Sequence, residues 1–243
     1  MEVTKLLILQ FLAHILADFV FQSNKWAKQK NKKGFKSKYL YWHLLLVFAF
    51  SYALSFDAWF GLASLAITFL HFLTDGFKPK IANIKIGGGR PFKKSIFFID
   101  QVMHIITLVA ITLIYKHLTT GYLTDDNFAM LNVNQIAVIT AYLLIFKPAN
   151  IIIHEVLRMY DISFTGNKKS NEIPNAGKLI GILERILVLT LVIMAEYPAI
   201  GFLIAAKTIL RYKDDTAKTE YVLVGTMLSF AVAIIIGISL KLI

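Results

Sequence analysis

The sequence predicts an all-α protein, a polytopic transmembrane helix bundle of about 7–8 membrane segments with a duplicated helical hairpin in helices 1–4. Three observations lead there. Hydrophobic residues make up 57% of the 243-residue chain, and mean hydropathy is +0.63; soluble domains are about 45–50% apolar. Apolar runs of roughly 20 residues recur along the whole chain, which a single signal peptide cannot explain. Basic residues gather in the short loops between those runs, where they orient a protein in a membrane. No linker divides the chain, so 1–243 reads as a single integral membrane domain, with duplicated hairpins over 1–117 and C-terminal helices over 134–243.

Taken in order, the first run spans 3–22. It lacks the basic leading segment and small-residue cleavage site of a signal peptide, so it reads as a retained helix. A loop with Lys25, Lys28, Lys30, Lys32, Lys33, Lys36 and Lys38 and no acid follows, and reads as a solvated segment touching anionic headgroups. Helices over 39–56 and 58–77 flank a short turn at Asp57. A second basic loop carries Lys78, Lys80, Lys85, Arg90, Lys93 and Lys94, with the flexible Gly87-Gly88-Gly89-Arg90-Pro91 stretch inside it. The next helix covers 96–117, and the loop after it is acidic, with Asp125 and Asp126. A run over 134–158 carries a Lys147-Pro148 break. A polar loop with Lys168 and Lys169 leads to 178–196, then to a short apolar piece over 198–211 and a last helix over 221–241. Positive loops inside and the acidic loop outside fit strict alternation with the N-terminus outside. The 198–211 piece either crosses or is re-entrant. Trp26, Trp42, Tyr39 and Tyr41 fall where an interfacial aromatic belt is expected.

The formal net charge of +11 is distributed over these loops, which argues against nucleic acid and for membrane lipids as partners. The chain has no cysteine, so a metal would have to be held by His, Asp, Glu or carbonyl oxygen. No P-loop lysine follows the glycine run, and no Gly-x-Ser-x-Gly elbow exists.

The chemistry-bearing pattern is a histidine and an aspartate four residues apart, hence on one helix face. It appears as His14…Asp18, returns as His71…Asp75, and is reversed as Asp100…His104. Each of the first two pairs leads through a basic loop to a helix with a histidine near its start, His43 and His104. Ionisable groups inside a bilayer cost roughly 2.5–3.5 kcal/mol each on insertion scales, so they need partners or a purpose. The topology places all seven at one depth near the cytoplasmic boundary. Imidazole and carboxylate from facing helices are how helical bundles build metal sites. The set suits one or two divalent ions, zinc, manganese or iron, and two ions can clamp a phosphoryl group. His154 with Glu155 and Glu184 with Arg185 share the depth. Glu184 or Glu155 is the candidate general base, and Arg185 a candidate phosphate-binding group.

Three functions compete. The first is an integral-membrane metal-dependent hydrolase acting at the cytoplasmic leaflet on a lipid or phosphate-bearing substrate. The second is a transporter or proton- or ion-coupled carrier, suggested by the duplication and the break at Pro198, and opposed by the almost wholly apolar outer halves of helices 1–4. The third is a non-catalytic assembly protein, in which the polar cluster only fixes helix register. The oligomeric state is not legible.

The Leu12–Phe19 run, the His71–Asp75 pair, Asp100-Gln101 with His104, the Gly177–Arg185 segment and the Ala199–Lys207 segment together resemble a bacterial membrane family catalogued as domain of unknown function 3307. That resemblance implies a multi-pass inner-membrane protein. The first four helices also resemble membrane-bound metal-dependent hydrolases, which implies metal roles for His14, Asp18, His43, His71, Asp75, Asp100 and His104. The family pattern also draws attention to Glu184, Arg185 and Lys207.

Overall fold

A computed structural model describes residues 3–86, 90–91, 94–119, 132–162, 176–210 and 216–243. The acidic loop with Asp125 and Asp126, Gly87 to Gly89, Lys93, Lys168, Lys169 and Arg211 lie outside the described residues. Apart from a two-residue antiparallel ladder, Lys85–Ile86 against Arg90–Pro91, the described residues are helical. They form two compact units, Met1–Ile136 and Ala137–Ile243.

In the first unit, α1 (Val3–Ile15) continues into a π-turn, Leu16–Val20, closed by Phe21 N–H donating to Leu16 O at 2.9 Å. Such one-residue insertions re-aim side chains and are frequent at functional sites. Helices α3 (Lys38–Ser55), α4 (Gly61–Ala82) and α5 (Ile96–Leu118) complete a four-helix core. α1 packs on α3 and α5, and α4 packs on α3 and α5. Leu6, Ala17, Val47, Phe60, Ala63, Ile67 and Tyr115 fill the centre.

The lysine-rich stretch is where the structure departs from expectation. It is not a solvated loop but a helix, α2 (Asn24–Lys33), packed on α3 and α4. Ser23 caps it by accepting from Trp26 N–H. Gly34 closes it with φ +53°, and its N–H donates to Lys30 O. A Cβ at Gly34 would lie 2.5 Å from Gly76 O, and one at Gly76 would strike the Phe35 ring. The two glycines therefore let the end of α2 rest on α4 beside Asp75. Lys25, Lys28, Lys32 and Lys33 are exposed, while Lys30 is buried.

In the second unit, the expected break falls at Phe146. Helices α6 (Val133–Ile145) and α7 (Lys147–Met159) meet at 45°, with Pro148 in the first turn of α7. α8 (Ala176–Ile193) packs on α9 (Tyr197–Leu210) and α10 (Thr216–Leu240). Val188, Val192, Ile200, Phe230 and Ala233 form one core, and Ala141, Ile145 and Leu189 another.

Among the described residues, four helical stretches are long and apolar enough to cross a membrane: Val3–Val20, Ala58–Ala82, Ile96–Leu118 and Glu220–Leu240. The bent α6–α7 pair is a fifth if it counts as one span. α3 and α8 are not among them. Lys38, His43 and the aromatic hydroxyls lower the hydropathy of α3, and α8 carries Lys178, Glu184 and Arg185.

Candidate metal centre

All seven His and Asp residues read from the first four helices of the sequence converge in the first unit, and all seven side chains are buried. Five helical segments supply them: His14 from α1, Asp18 from the π-turn, His43 from α3, His71 and Asp75 from α4, Asp100 and His104 from α5.

Asp18 Oδ1 is the hub of one side. It lies 3.4 Å from His14 Nδ1, 3.5 Å from His43 Nε2 and 3.6 Å from His71 Nε2. The His43 and His71 Nε2 atoms are 3.0 Å apart. On the other side, His104 Nε2 lies 3.8 Å from Asp75 Oδ1 and 3.6 Å from Asp100 Oδ1. The triads His14–Asp18–His71, His43–His71–Asp75 and Asp75–Asp100–His104 each bring their ligand atoms within 4.8 Å of one another.

Neighbouring groups set which nitrogen carries a proton. Thr74 Oγ1 donates to His71 O at 2.9 Å, so toward His104 Nδ1, 3.1 Å away, it can only accept. With its hydrogen on Nδ1, a neutral His104 turns Nε2 toward Asp75 Oδ1 and Asp100 Oδ1, free to bind a metal. Gln101 Nε2 donates to Asp100 Oδ2 at 3.3 Å, which turns Gln101 Oε1 toward His14 Nε2, also 3.3 Å away. His14 thus carries its hydrogen on Nε2 and turns the Nδ1 lone pair on Asp18. Asp18 Oδ1, Asp75 Oδ1 and His104 Nε2 are buried without a hydrogen-bond partner. Imidazole nitrogens and carboxylate oxygens gathered in a buried site form a donor set that could hold a metal ion. The donor set fits a borderline or hard divalent ion, and the outer groups hold the imidazoles as metal-binding imidazoles are held. The Gln22 side-chain amide lies 2.9 Å from His43 Nδ1 through Nε2; for His43 Nε2 to bind a metal, that amide must turn so that Oε1 accepts from Nδ1.

Two lysines complete the charge balance, and sequence reasoning left both out. Lys30 Nζ donates to Asp75 Oδ2 at 2.6 Å, and Lys78 Nζ to Asp100 Oδ2 at 2.7 Å. Lys78 follows Asp75 by one helical turn and Asp100 faces it from α5, a signal that spacing on α4 carried. Nothing in the sequence aligns Lys30 with Asp75.

The half of this unit away from the cluster is not wholly apolar. Gln10 Nε2 donates to Ser51 O at 2.9 Å, Ser51 Oγ donates to Gln10 Oε1 at 2.7 Å, and the Ser64 hydroxyl lies 3.1 Å from Ser51 Oγ, which can accept from it. A cavity of about 20 Å³ joins Gln10 and Ser51 to His14, His71 and His104, enough for one water.

Glu155, Glu184 and Arg185 lie in the second unit. Arg185 is 1% exposed and donates to Ile145 O at 2.7 Å, Ser229 Oγ at 3.0 Å and Asn150 Oδ1 at 2.6 Å. The break after Ile145 frees that carbonyl, and Arg185 satisfies it. Glu184 pairs with Lys207, and Glu155 with Arg158 on its own helix. A cavity of about 450 Å³ is lined by Asn150, His154, Glu184, Arg185, Lys207 and Ser229 among others.

The fold and site define a helical protein with membrane-spanning segments and a buried His/Asp cluster able to hold a metal ion. A family model described as a protein of unknown function, DUF3307, matches residues 6–131, more than half of the chain, and the chain belongs to that family. The match covers every element that supplies the cluster. Comparison with curated proteins and with solved structures finds no match.

Proposed function

We propose that the protein is an integral-membrane metal-dependent hydrolase, with one or two divalent ions held by His14, Asp18, His43, His71, Asp75, Asp100 and His104. One observation carries the reading: buried imidazole nitrogens and carboxylate oxygens from four helices and the π-turn converge within 4.8 Å of one another in three overlapping triads, and Asp18 Oδ1, Asp75 Oδ1 and His104 Nε2 have no hydrogen-bond partner there. A bound divalent ion supplies an activated water and polarises a phosphoryl or acyl oxygen. The chain's own part is to orient the imidazoles through Thr74 and Gln101, to exclude bulk solvent, and to hold two ammonium groups, Lys30 and Lys78, against the carboxylates. That environment favours an anionic, phosphate-bearing substrate at the cytoplasmic leaflet, where the exposed lysines of α2 meet anionic headgroups. In this reading the N-terminus is outside, the chain makes 7–8 crossings, and the two hairpins arose by duplication. Glu184 or Glu155 as general base and Arg185 as phosphate ligand belong to the same reading, and each is paired within its own unit.

Metal analysis of gently purified, detergent-solubilised protein tests the reading. We expect stoichiometric zinc, manganese or iron in the native chain and little in His71→Ala or Asp75→Ala. A chain that neither carries nor takes up a divalent ion sinks it.

A second reading has its own observation. The Gln10–Ser51–Ser64 network and its cavity extend the polar path beyond His14, and such a path suits a proton- or ion-coupled carrier. Ion-dependent flux in reconstituted liposomes, lost in Gln10→Leu, would favour it over hydrolysis.

A further inference from the structure

We infer that Asp75 bridges two divalent ions, one held with His43 and His71 and the other with Asp100 and His104. This rests on the reading of the cluster as a metal centre and adds how many ions it takes and what joins them.

The first observation is that the Asp75 carboxylate is divided. Its Oδ2 lies 3.2 Å from His71 Nε2 and 3.6 Å from His43 Nε2, whereas its Oδ1 lies 3.8 Å from His104 Nε2. The triads His43–His71–Asp75 and Asp75–Asp100–His104 share Asp75 and nothing else. Tetrahedral coordination with bonds of about 2.0–2.2 Å sets neighbouring ligand atoms about 3.3–3.6 Å apart. The separations within the cluster, from 3.0 Å between His43 and His71 to 3.8 Å between Asp75 and His104, bracket that spacing.

The second observation is independent of the carboxylate. The His71 and His104 rings are stacked, 3.8 Å between centroids and 2° from parallel. Both present Nε2 to the same carboxylate, one to each oxygen. A ligand ion lies in the plane of its imidazole, so ions on these two nitrogens stand roughly one ring spacing apart. Paired catalytic ions stand about 3.5–4 Å apart. Asp18 and His14 close the first position, since Asp18 Oδ1 lies within 3.6 Å of both His43 and His71 Nε2.

Lys30 fits as the stand-in cation. Its ammonium occupies Asp75 Oδ2, the oxygen that the first ion requires, so Lys30 gives up that oxygen when the site loads. Two dications and Lys78 outweigh three aspartates even with Lys30 displaced, so the loaded site is positive and takes an oxyanion, as a phosphate ester presents.

Manganese provides the probe. The full-length, detergent-purified protein is loaded with Mn²⁺, bound metal is counted, and the electron paramagnetic resonance spectrum is recorded. Two ions per chain with an exchange-coupled spectrum are expected in the native sequence. His104→Ala should retain one ion with the spectrum of isolated Mn²⁺, and Asp75→Ala should lose the coupling. If Asp75→Ala does not fold, His104→Ala carries the comparison. One ion in the native protein, two uncoupled ions, or coupling that survives in a folded variant overturns the bridge and leaves the metal reading standing. No uptake of any divalent ion overturns both.

Discussion

Lys30 Nζ and Asp75 Oδ2 stand 2.6 Å apart, joining the short basic helix to the centre of the His/Asp cluster. Both side chains are buried, at 5% and 0% exposure. A buried ion pair is costly to break from one side, because the remaining charge is left unpaired, and the usual cost is about 3–5 kcal/mol.

Lys30→Met should therefore lower the thermal stability of the ion-free protein by a margin of that order. A divalent ion can replace the missing ammonium on Asp75, so excess Mn²⁺ or Zn²⁺ should recover the loss. Thermal unfolding in detergent, with chelator and with metal, checks both. A variant that metal does not stabilise would argue that Asp75 is not a ligand.

Gly34 lets α2 reach its seat. Gly34→Ala places a Cβ at positive φ and against Gly76 O, so it should cost about 1–2 kcal/mol in backbone strain alone. The sign of local undocking is faster proteolysis within 24–33, with the four-helix core still protected.

Thr74 is the acceptor that fixes the His104 tautomer. Thr74→Val keeps the shape and removes the acceptor, so metal affinity should fall about 10–100-fold, the usual loss when such a supporting group goes. Thr74→Ser should retain affinity. Competition with a fluorescent chelator reads the difference.

Arg185→Met removes three donors at once. Leaving Ile145 O, Ser229 and Asn150 without them should destabilise the second unit by at least about 3 kcal/mol, at roughly 1–3 kcal/mol for each group stranded. Metal content should stay at the native level. A variant that lost metal would tie Arg185 to the cluster and revive its reading as a site residue.

The absence of native cysteine makes topology directly measurable. Lys28→Cys lies on the exposed side of α2. It should react with a membrane-impermeant maleimide from the cytoplasmic side alone. Labelling from outside would invert the proposed orientation.

Helix content, the apolar spans and the break before Pro148 were all legible, because each follows from local composition and from proline's missing N–H. So was the grouping of the seven His and Asp residues, because helical spacing puts residues four apart on one face and the same His/Asp spacing recurs on successive helices. The lysine stretch was misread for the converse reason. Its composition is that of a solvated segment, and what orders it is Gly34 resting on Gly76 and Lys30 reaching Asp75, contacts spanning some forty residues. Arg185 was read as a phosphate ligand because nothing local shows that its donors are spent on the carbonyl freed at Ile145.

The sequence by itself determined the class of this protein: apolar helices whose few buried ionisable groups are histidines and aspartates in a repeated pattern. Only the tertiary structure decided which atoms of those groups face one another, which nitrogens keep their lone pairs and which lysines neutralise the carboxylates. Periodicity ranks residues along one helix. Tautomers, shared carboxylates and buried ion pairs depend on distances between helices, and packing alone sets those.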